Sequence, residues 1–284
     1  VTPDQRARIE AATGRAVLSS TPLAGGCIAE VSKVVLDGAE PVVVKAAGPD
    51  GTLDIEAYML RYLAEHSALP VPLVIEATHD LLVMSFIPGA GGIDAGAQKH
   101  AAELIAALHE VTGPHFGLER HTLIGPLHQP NDPSDCWVDF FRDRRLLYLG
   151  RLAHDAGRLS DGTLRRLERL CAELEDWIQE PAAPSLLHGD LWGGNVLADR
   201  GRIAGFVDPA IYYGHPEVEL AFSTLFSTFG EPFFRRYREL RPLAPDFFEV
   251  RRDLYNLYPL LVHTHLFGGG YARSVDGILR RFVG

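Results

Sequence analysis

Apolar and polar positions follow one rhythm in the first third of the chain and another in the rest. Thr2-Pro3 is a helix start, and residues 3 to 13 read as a short helix closed by Gly14. Segments of β type follow over 16–22, 28–36 and 41–46, punctuated by Gly25-Gly26 and then by Asp37-Gly38. Residues 52–66 carry helical spacing with Thr52 at the N-cap, and two further strands, 73–78 and 81–86, turn at His79-Asp80. The pattern predicts an antiparallel five-stranded sheet with one inserted helix.

From Ile87 to Gly92 the chain becomes glycine-rich, and beyond that connector most apolar positions recur with helical period. Leu104, Ile105 and Leu108 mark the apolar face of a helix over 97–111. Residues 113–134, rich in Pro, Gly and His, read as a loop long enough to be either functional or partly ordered. Further helices are expected over 135–157 and 161–179, from Pro216, and over 231–240, 246–266 and 272–282. The fold class is therefore α+β, with a small sheet lobe over 1–87 and a larger, mainly helical lobe over 88–284.

Composition narrows the function without choosing it. The chain has 284 residues, 46% hydrophobic and 23% charged, with a net charge of -10. That balance argues against a nucleic-acid partner. Cys27, Cys136 and Cys171 form neither a disulfide framework nor a zinc spacing, so a reducing compartment is expected. VTPDQRARIE lacks the apolar core of a signal peptide and no apolar run approaches membrane length, so the expectation is a cytoplasmic protein with no membrane partner. His263 and His265 are two apart, and no HExxH is present, which disfavours a zinc hydrolase.

The chemistry concentrates in residues 186–209, LLHGDLWGGNVLADRGRIAGFVDP. The order suits phosphoryl transfer from ATP with Mg²⁺. Asp190 would accept the proton of an attacking hydroxyl, and Asn195 and Asp208 would offer oxygens to the metal. The Asp-to-Asn spacing is that of a kinase catalytic loop, with Gly189 in place of its arginine. A loop of this composition can equally be a plain turn, so the upstream residues decide. Gly25, Gly26 and Cys27 form a candidate phosphate turn. Glu56 shares a helical stripe with Leu53, Leu60 and Leu63, and a carboxylate there needs a cation; Lys45, at the end of a strand on the same face as Val43, is the nearest. The backbone around Met84 and Phe86 could read an adenine edge. His188 would pin the loop, His109 reads as structural, and Trp192 is either a core residue or a platform beside the acceptor. Cys27 reads either as an unreactive small residue in a turn or, placed beside a cation there, as an oxidisable thiol that would make the activity redox-sensitive.

HGDLWGGN at 188–195, with Asp208, resembles the kinase-like phosphotransferase superfamily. WVDFFRDRRL at 137–146, DPAIYYGHPEVELA at 208–221, RRDLYNLYPLL at 251–261 and LFGGGY at 266–271 are similar to the fructosamine (ketosamine) kinase family. This resemblance, spanning nearly the whole chain, implies a bilobal protein-kinase-like fold and ATP-dependent phosphorylation of a sugar hydroxyl on a ketosamine, free or protein-bound, in the service of deglycation. Ala29 and Thr122 stand where asparagine is usual, and Glu219 replaces a common aspartate, which leaves the acceptor open. An aminoglycoside, choline or another alcohol is the alternative acceptor. A nucleotide-binding protein without catalysis is the alternative of another class.

Overall fold

In a computed structural model, residues 1–23, 29–89 and 91–284 are described. Helix α1 (Pro3–Thr13) begins as its sequence predicts. The Thr2 hydroxyl accepts the Gln5 N–H at 3.2 Å, the Gln5 side chain accepts the Thr2 N–H at 2.8 Å, and Gly14 ends the helix at φ +66°. Strands β1 (Val17–Pro22), β2 (Glu30–Leu36), β3 (Val42–Ala46), β4 (Val74–Ala77) and β5 (Leu81–Ser85) form one antiparallel sheet in the order β1-β2-β3-β5-β4.

The two-residue period of the strands sorts their side chains onto two faces. Val34, Val42, Val44, Leu81 and Val83 pack with Ile9 of α1, while Val43, Leu82 and Met84 pack with Leu53, Ala57 and Leu60 of α2 (Leu53–His66). Lys45 belongs to the second face and so points at α2. Arg8 forks onto both oxygens of Asp80 at 3.0 Å and reaches the Thr78 hydroxyl at 2.7 Å, tying α1 to the β4–β5 turn. That turn also starts α2. Thr52 occupies the N-cap position, but its side chain makes no capping bond; instead the Leu53 N–H donates to the His79 carbonyl at 3.0 Å. The expected cap is replaced by a tertiary one.

The second lobe is mainly helical: α3 (Ala95–His109), α4 (Trp137–Phe140), α5 (Tyr148–Asp155), α6 (Asp161–Ala172), α7 (Pro216–Leu225), α8 (Glu231–Leu240), α9 (Arg252–Phe267) and α10 (Gly270–Val283). A π-helical stretch, Phe141–Leu147, joins α4 to α5. The core holds Trp137, Phe141, Leu187, Tyr212, Leu254 and Tyr255, all buried. The segment expected as a long loop contains a short hairpin, β6 (Thr122–Ile124) with β7 (Leu127–Gln129), Thr122 paired to Gln129. Two further pairs bracket the HGD loop: β8 (Ser185–Leu187) with β11 (Tyr212–Gly214), and β9 (Val196–Asp199) with β10 (Arg202–Phe206). Among the described residues no helix is long and apolar enough to cross a membrane.

Candidate active site

A cleft of about 180 Å³ opens between the sheet and the HGD loop, bordered by Lys45, Glu56, Asp190, Trp192, Asn195 and Asp208. Ala29, Val31 and Leu53 form its sheet side, and Leu123 and Gly125 of the β6–β7 hairpin approach from the helical lobe. Lys45, Glu56, Asp190, Asn195 and Asp208, scattered over more than half the sequence, thus line one cleft.

Lys45 is 7% exposed, yet its ammonium meets two carboxylates: Glu56 Oε1 at 2.7 Å, and Asp208 Oδ1. Burial opposes the lysine's charge, but the attraction of Glu56 and Asp208 outweighs it and holds the Lys45 pKa above its ordinary value. One cation with two carboxylates leaves a surplus negative charge, which suits an incoming divalent cation. Asp208, which follows the β9–β10 hairpin, has φ +52°, a left-handed backbone that costs a non-glycine residue roughly 1–3 kcal/mol.

The HGD loop is held by its own polar groups. His188 is fully buried and burial lowers its pKa; its Nε2–H donates to the Val207 carbonyl at 3.1 Å, while Nδ1 accepts the Asp190 N–H at 3.4 Å. Gly189 has φ +85°, and a Cβ there would stand 2.0 Å from the Ala210 carbonyl oxygen. Only glycine fits. Asn195 Nδ2 donates to Asp190 Oδ2 at 2.8 Å, to the Asp190 carbonyl at 3.0 Å and to the Asp208 carbonyl at 3.4 Å. Among the described residues no donor meets Asn195 Oδ1. Together with the Asp208 carboxylate it makes an all-oxygen donor pair of the kind Mg²⁺ takes, and among those residues no cluster of three or more His, Cys, Asp or Glu forms a metal cage of its own.

The Asp190 carboxyl has a pKa pushed up to about 7. Burial is the main cause, opposed by the Asn195 hydrogen bond and reinforced by the negative charges of Asp208 and Glu219. A carboxylate so placed is a stronger base than an exposed one. Trp192 is 40% exposed and borders the cleft, with its ring 6.0 Å from that of Phe226 in an edge-on arrangement. Of the two readings of this residue, a core position is the one the geometry does not support.

Met84 and Phe86 stand behind the cleft instead of lining it. Met84 is buried beneath α2, and Phe86 packs at the rim of the same cluster with the Lys33 ammonium 4.0 Å from its ring centroid. The Ser85 and Phe86 N–H groups already donate to the Leu73 and Pro41 carbonyls at 2.9 and 3.4 Å. Gly25, Gly26 and Cys27 lie outside the described residues; the Leu23 N–H donates to the Val31 carbonyl at 2.9 Å, and Ala29 borders the cleft.

Several supports escaped sequence reading. Buried Glu219 accepts the Gly189 N–H at 2.7 Å through Oε1 and meets His109 Nε2 at 2.9 Å through Oε2, and His109 Nδ1 lies 2.7 Å from the Tyr237 hydroxyl. The signal was present: Glu219 sits among Val218, Leu220 and Ala221 on a buried helix, the same logic that singled out Glu56. Arg145, fully buried, has no carboxylate partner among the described residues. Its guanidinium donates to the Pro130 carbonyl at 2.6 Å and to Asn131 Oδ1 at 2.8 Å and lies 4.1 Å from the Tyr212 ring centroid. Asn131 and Gln129 both donate to the Thr122 hydroxyl at 2.8 Å, and Gln129 donates to the Ala210 carbonyl at 3.0 Å. This network fixes the hairpin against the segment that follows Asp208.

A sheet lobe with a lysine–glutamate pair, facing a helical lobe with an Asp, Asn and Asp constellation, defines a kinase-like phosphotransferase. The crystal structure of an aminoglycoside phosphotransferase shares this fold at a TM-score of 0.67 and 18% identity, over 100% of both chains. The model of the fructosamine kinase family matches residues 2–284, and the chain belongs to that family. A probable ketoamine kinase of Synechocystis is 34% identical over 91% of this chain and 88% of its own length. A chloroplastic protein-ribulosamine 3-kinase of Arabidopsis thaliana is 32% identical, over 91% of this chain and 81% of its own. A crystal structure from Thermobifida fusca, assigned as a fructosamine-3-kinase, superposes with a TM-score of 0.87 at 32% identity, covering 97% of this chain and 96% of that one. The chain is accordingly an ATP-dependent kinase.

Proposed function

We propose that the enzyme transfers the γ-phosphoryl group of ATP to a sugar hydroxyl of a ketosamine, in a cleft between a lobe formed by residues 1–87 and one formed by 88–284. The observation that carries this reading is the convergence of Lys45, Glu56, Asp190, Asn195 and Asp208 on one cleft. Asp190 accepts the acceptor's hydroxyl proton while that oxygen forms its bond to the γ-phosphorus and the bond to the ADP oxygen breaks. Glu56 holds the Lys45 ammonium in place for the phosphates. Asn195 Oδ1 and Asp208 would hold Mg²⁺, which would neutralise phosphate oxygens. By sequence, Gly25, Gly26 and Cys27 remain the candidate phosphate contacts; Met84 and Phe86 back the base. Trp192, exposed beside Asp190, borders the acceptor sugar.

The reading places the enzyme in the cytoplasm, where Cys136 and Cys171, both free, stay reduced. Its test is ADP production with a synthetic fructosamine over a Mg²⁺ titration. Asp208→Ala should raise the Mg²⁺ requirement, whereas Asp190→Asn should lower turnover at saturating Mg²⁺ by roughly 10²- to 10⁴-fold. Equal behaviour of the two variants would dissolve the division of roles.

A further inference from the structure

Trp192, Phe226 and Phe267 are 40%, 37% and 54% exposed, an unusual state for large apolar rings, and a line of ring-to-ring contacts through His263 joins them. The Trp192 ring meets Phe226 at 6.0 Å between centroids, Phe226 lies 5.1 Å from His263, and His263 lies 5.8 Å from Phe267 and 4.9 Å from Tyr271. One end of the line is in the cleft, since Trp192 borders it together with Asp190.

The other end is cationic. The turn between α9 and α10 runs through Gly268 and Gly270; the Arg158 side chain comes within 3.8 Å of where a Cβ on Gly268 would stand, and Arg273 within 3.7 Å of that position on Gly270. Both arginines are exposed, and among the described residues neither forms a salt bridge. The chain as a whole carries a net charge of -10, and at this turn stand two exposed cations with no carboxylate partner among the described residues, Arg158 donating to the Leu266 carbonyl at 2.7 Å. Three ring-to-ring steps of 6.0, 5.1 and 5.8 Å exceed what one sugar-bearing amine can cover; end to end they span at most about five residues of extended chain at about 3.3 Å each.

Resting on the ketosamine reading of the cleft, we infer that this track is a docking surface for the polypeptide flanking a ketosamine-bearing lysine, with an acidic side chain of that polypeptide at the Arg158 and Arg273 end. Continuity with the cleft, length and charge select this occupant. The rings supply sequence-tolerant contact, and the arginines supply a preference.

The test compares three acceptors: free fructosyl-lysine, a peptide with one fructosyl-lysine and a glutamate four residues away on either side, and the same peptide with glutamine there. Wild type should show a KM for the glutamate peptide about two- to five-fold below that for the glutamine peptide. Phe267→Ala combined with Arg273→Ala should abolish that difference while leaving KM for free fructosyl-lysine and for ATP unchanged. Should the double variant fail to fold by its melting curve, Arg158→Ala carries the same prediction. Equal KM values for the two peptides in wild type would overturn the inference, as would a variant that weakens free and peptide acceptors alike. A wild-type dimer that becomes monomeric in the variant with peptide KM unchanged would overturn it too, by assigning the face to a second copy. If no ketosamine, free or in a peptide, accepts phosphate, the reading of the cleft itself has failed, a result distinct from loss of discrimination among working acceptors.

Discussion

Replacing Asp190 by Asn should make the protein more stable while nearly abolishing turnover. The half-buried Asp190 carboxyl, at the wall of the cleft, has its pKa raised from 3.8 to about 7. Each unit corresponds to about 1.4 kcal/mol, so ionising this group in the folded chain costs up to about 4 kcal/mol relative to the unfolded chain. Because the folded pKa is the higher one, the wild type has its full stability below about pH 4 and loses this contribution as the pH rises through about 7. An asparagine side chain in its place keeps an acceptor for the Asn195 amide but carries no charge, so the variant escapes the loss. In metal-free, nucleotide-free buffer the melting temperature of the variant should exceed that of wild type by several degrees at pH 8, at roughly 2–4 °C per kcal/mol. The gap should close near pH 4. Differential scanning calorimetry at the two pH values reads it. A variant that melts at or below the wild-type temperature at pH 8, or a gap independent of pH, would refute the burial argument and with it the tuned-base role.

Other outcomes follow from the same geometry. With ATP and Mg²⁺ saturating and the acceptor limiting, kcat/KM should fall on acidification as Asp190 gains its proton, at a pH below the metal-free value of about 7 because a neighbouring divalent cation favours the carboxylate; a profile that does not fall on acidification would assign the proton elsewhere. Glu56→Gln removes one of the two carboxylates on Lys45 and should raise the KM for ATP by roughly ten- to a hundred-fold, the size of a lost charged hydrogen bond, read by steady-state kinetics with the fold intact. Gly189→Ala forces a Cβ to within 2.0 Å of the Ala210 oxygen and should lower stability by more than about 3 kcal/mol in denaturant titration. Arg145→Leu leaves the Pro130 carbonyl and Asn131 side chain unpaired and should cost roughly 2–4 kcal/mol by the same measurement.

The sheet and the Lys45–Glu56 pair were legible because each rests on a local period. Alternation in β3 sets Lys45 beside Val43, and the 3-4 spacing of α2 sets Glu56 beside Leu53 and Leu60. Tertiary contacts hid the rest. The β6–β7 hairpin is three residues a side and owes its place to Arg145, Asn131 and Gln129 meeting the chain after Asp208, which no window across 113–134 contains. Thr52 looked like a cap because its residue type favours one, but the His79 carbonyl reached the helix start first. The anchoring of Gly189 by Glu219 joins residues thirty apart and becomes visible only when the buried carboxylate is asked for its partner.

The identity of the acceptor is tested most directly by transfer of labelled phosphate from ATP to a synthetic fructosamine, with free fructose and an aminoglycoside alongside. Label should appear on the fructosamine, disappear with Asp190→Asn, and stay far lower on the other two. Label on the aminoglycoside alone, or fructosamine labelling undiminished in the Asp190 variant, would contradict the assignment of this cleft.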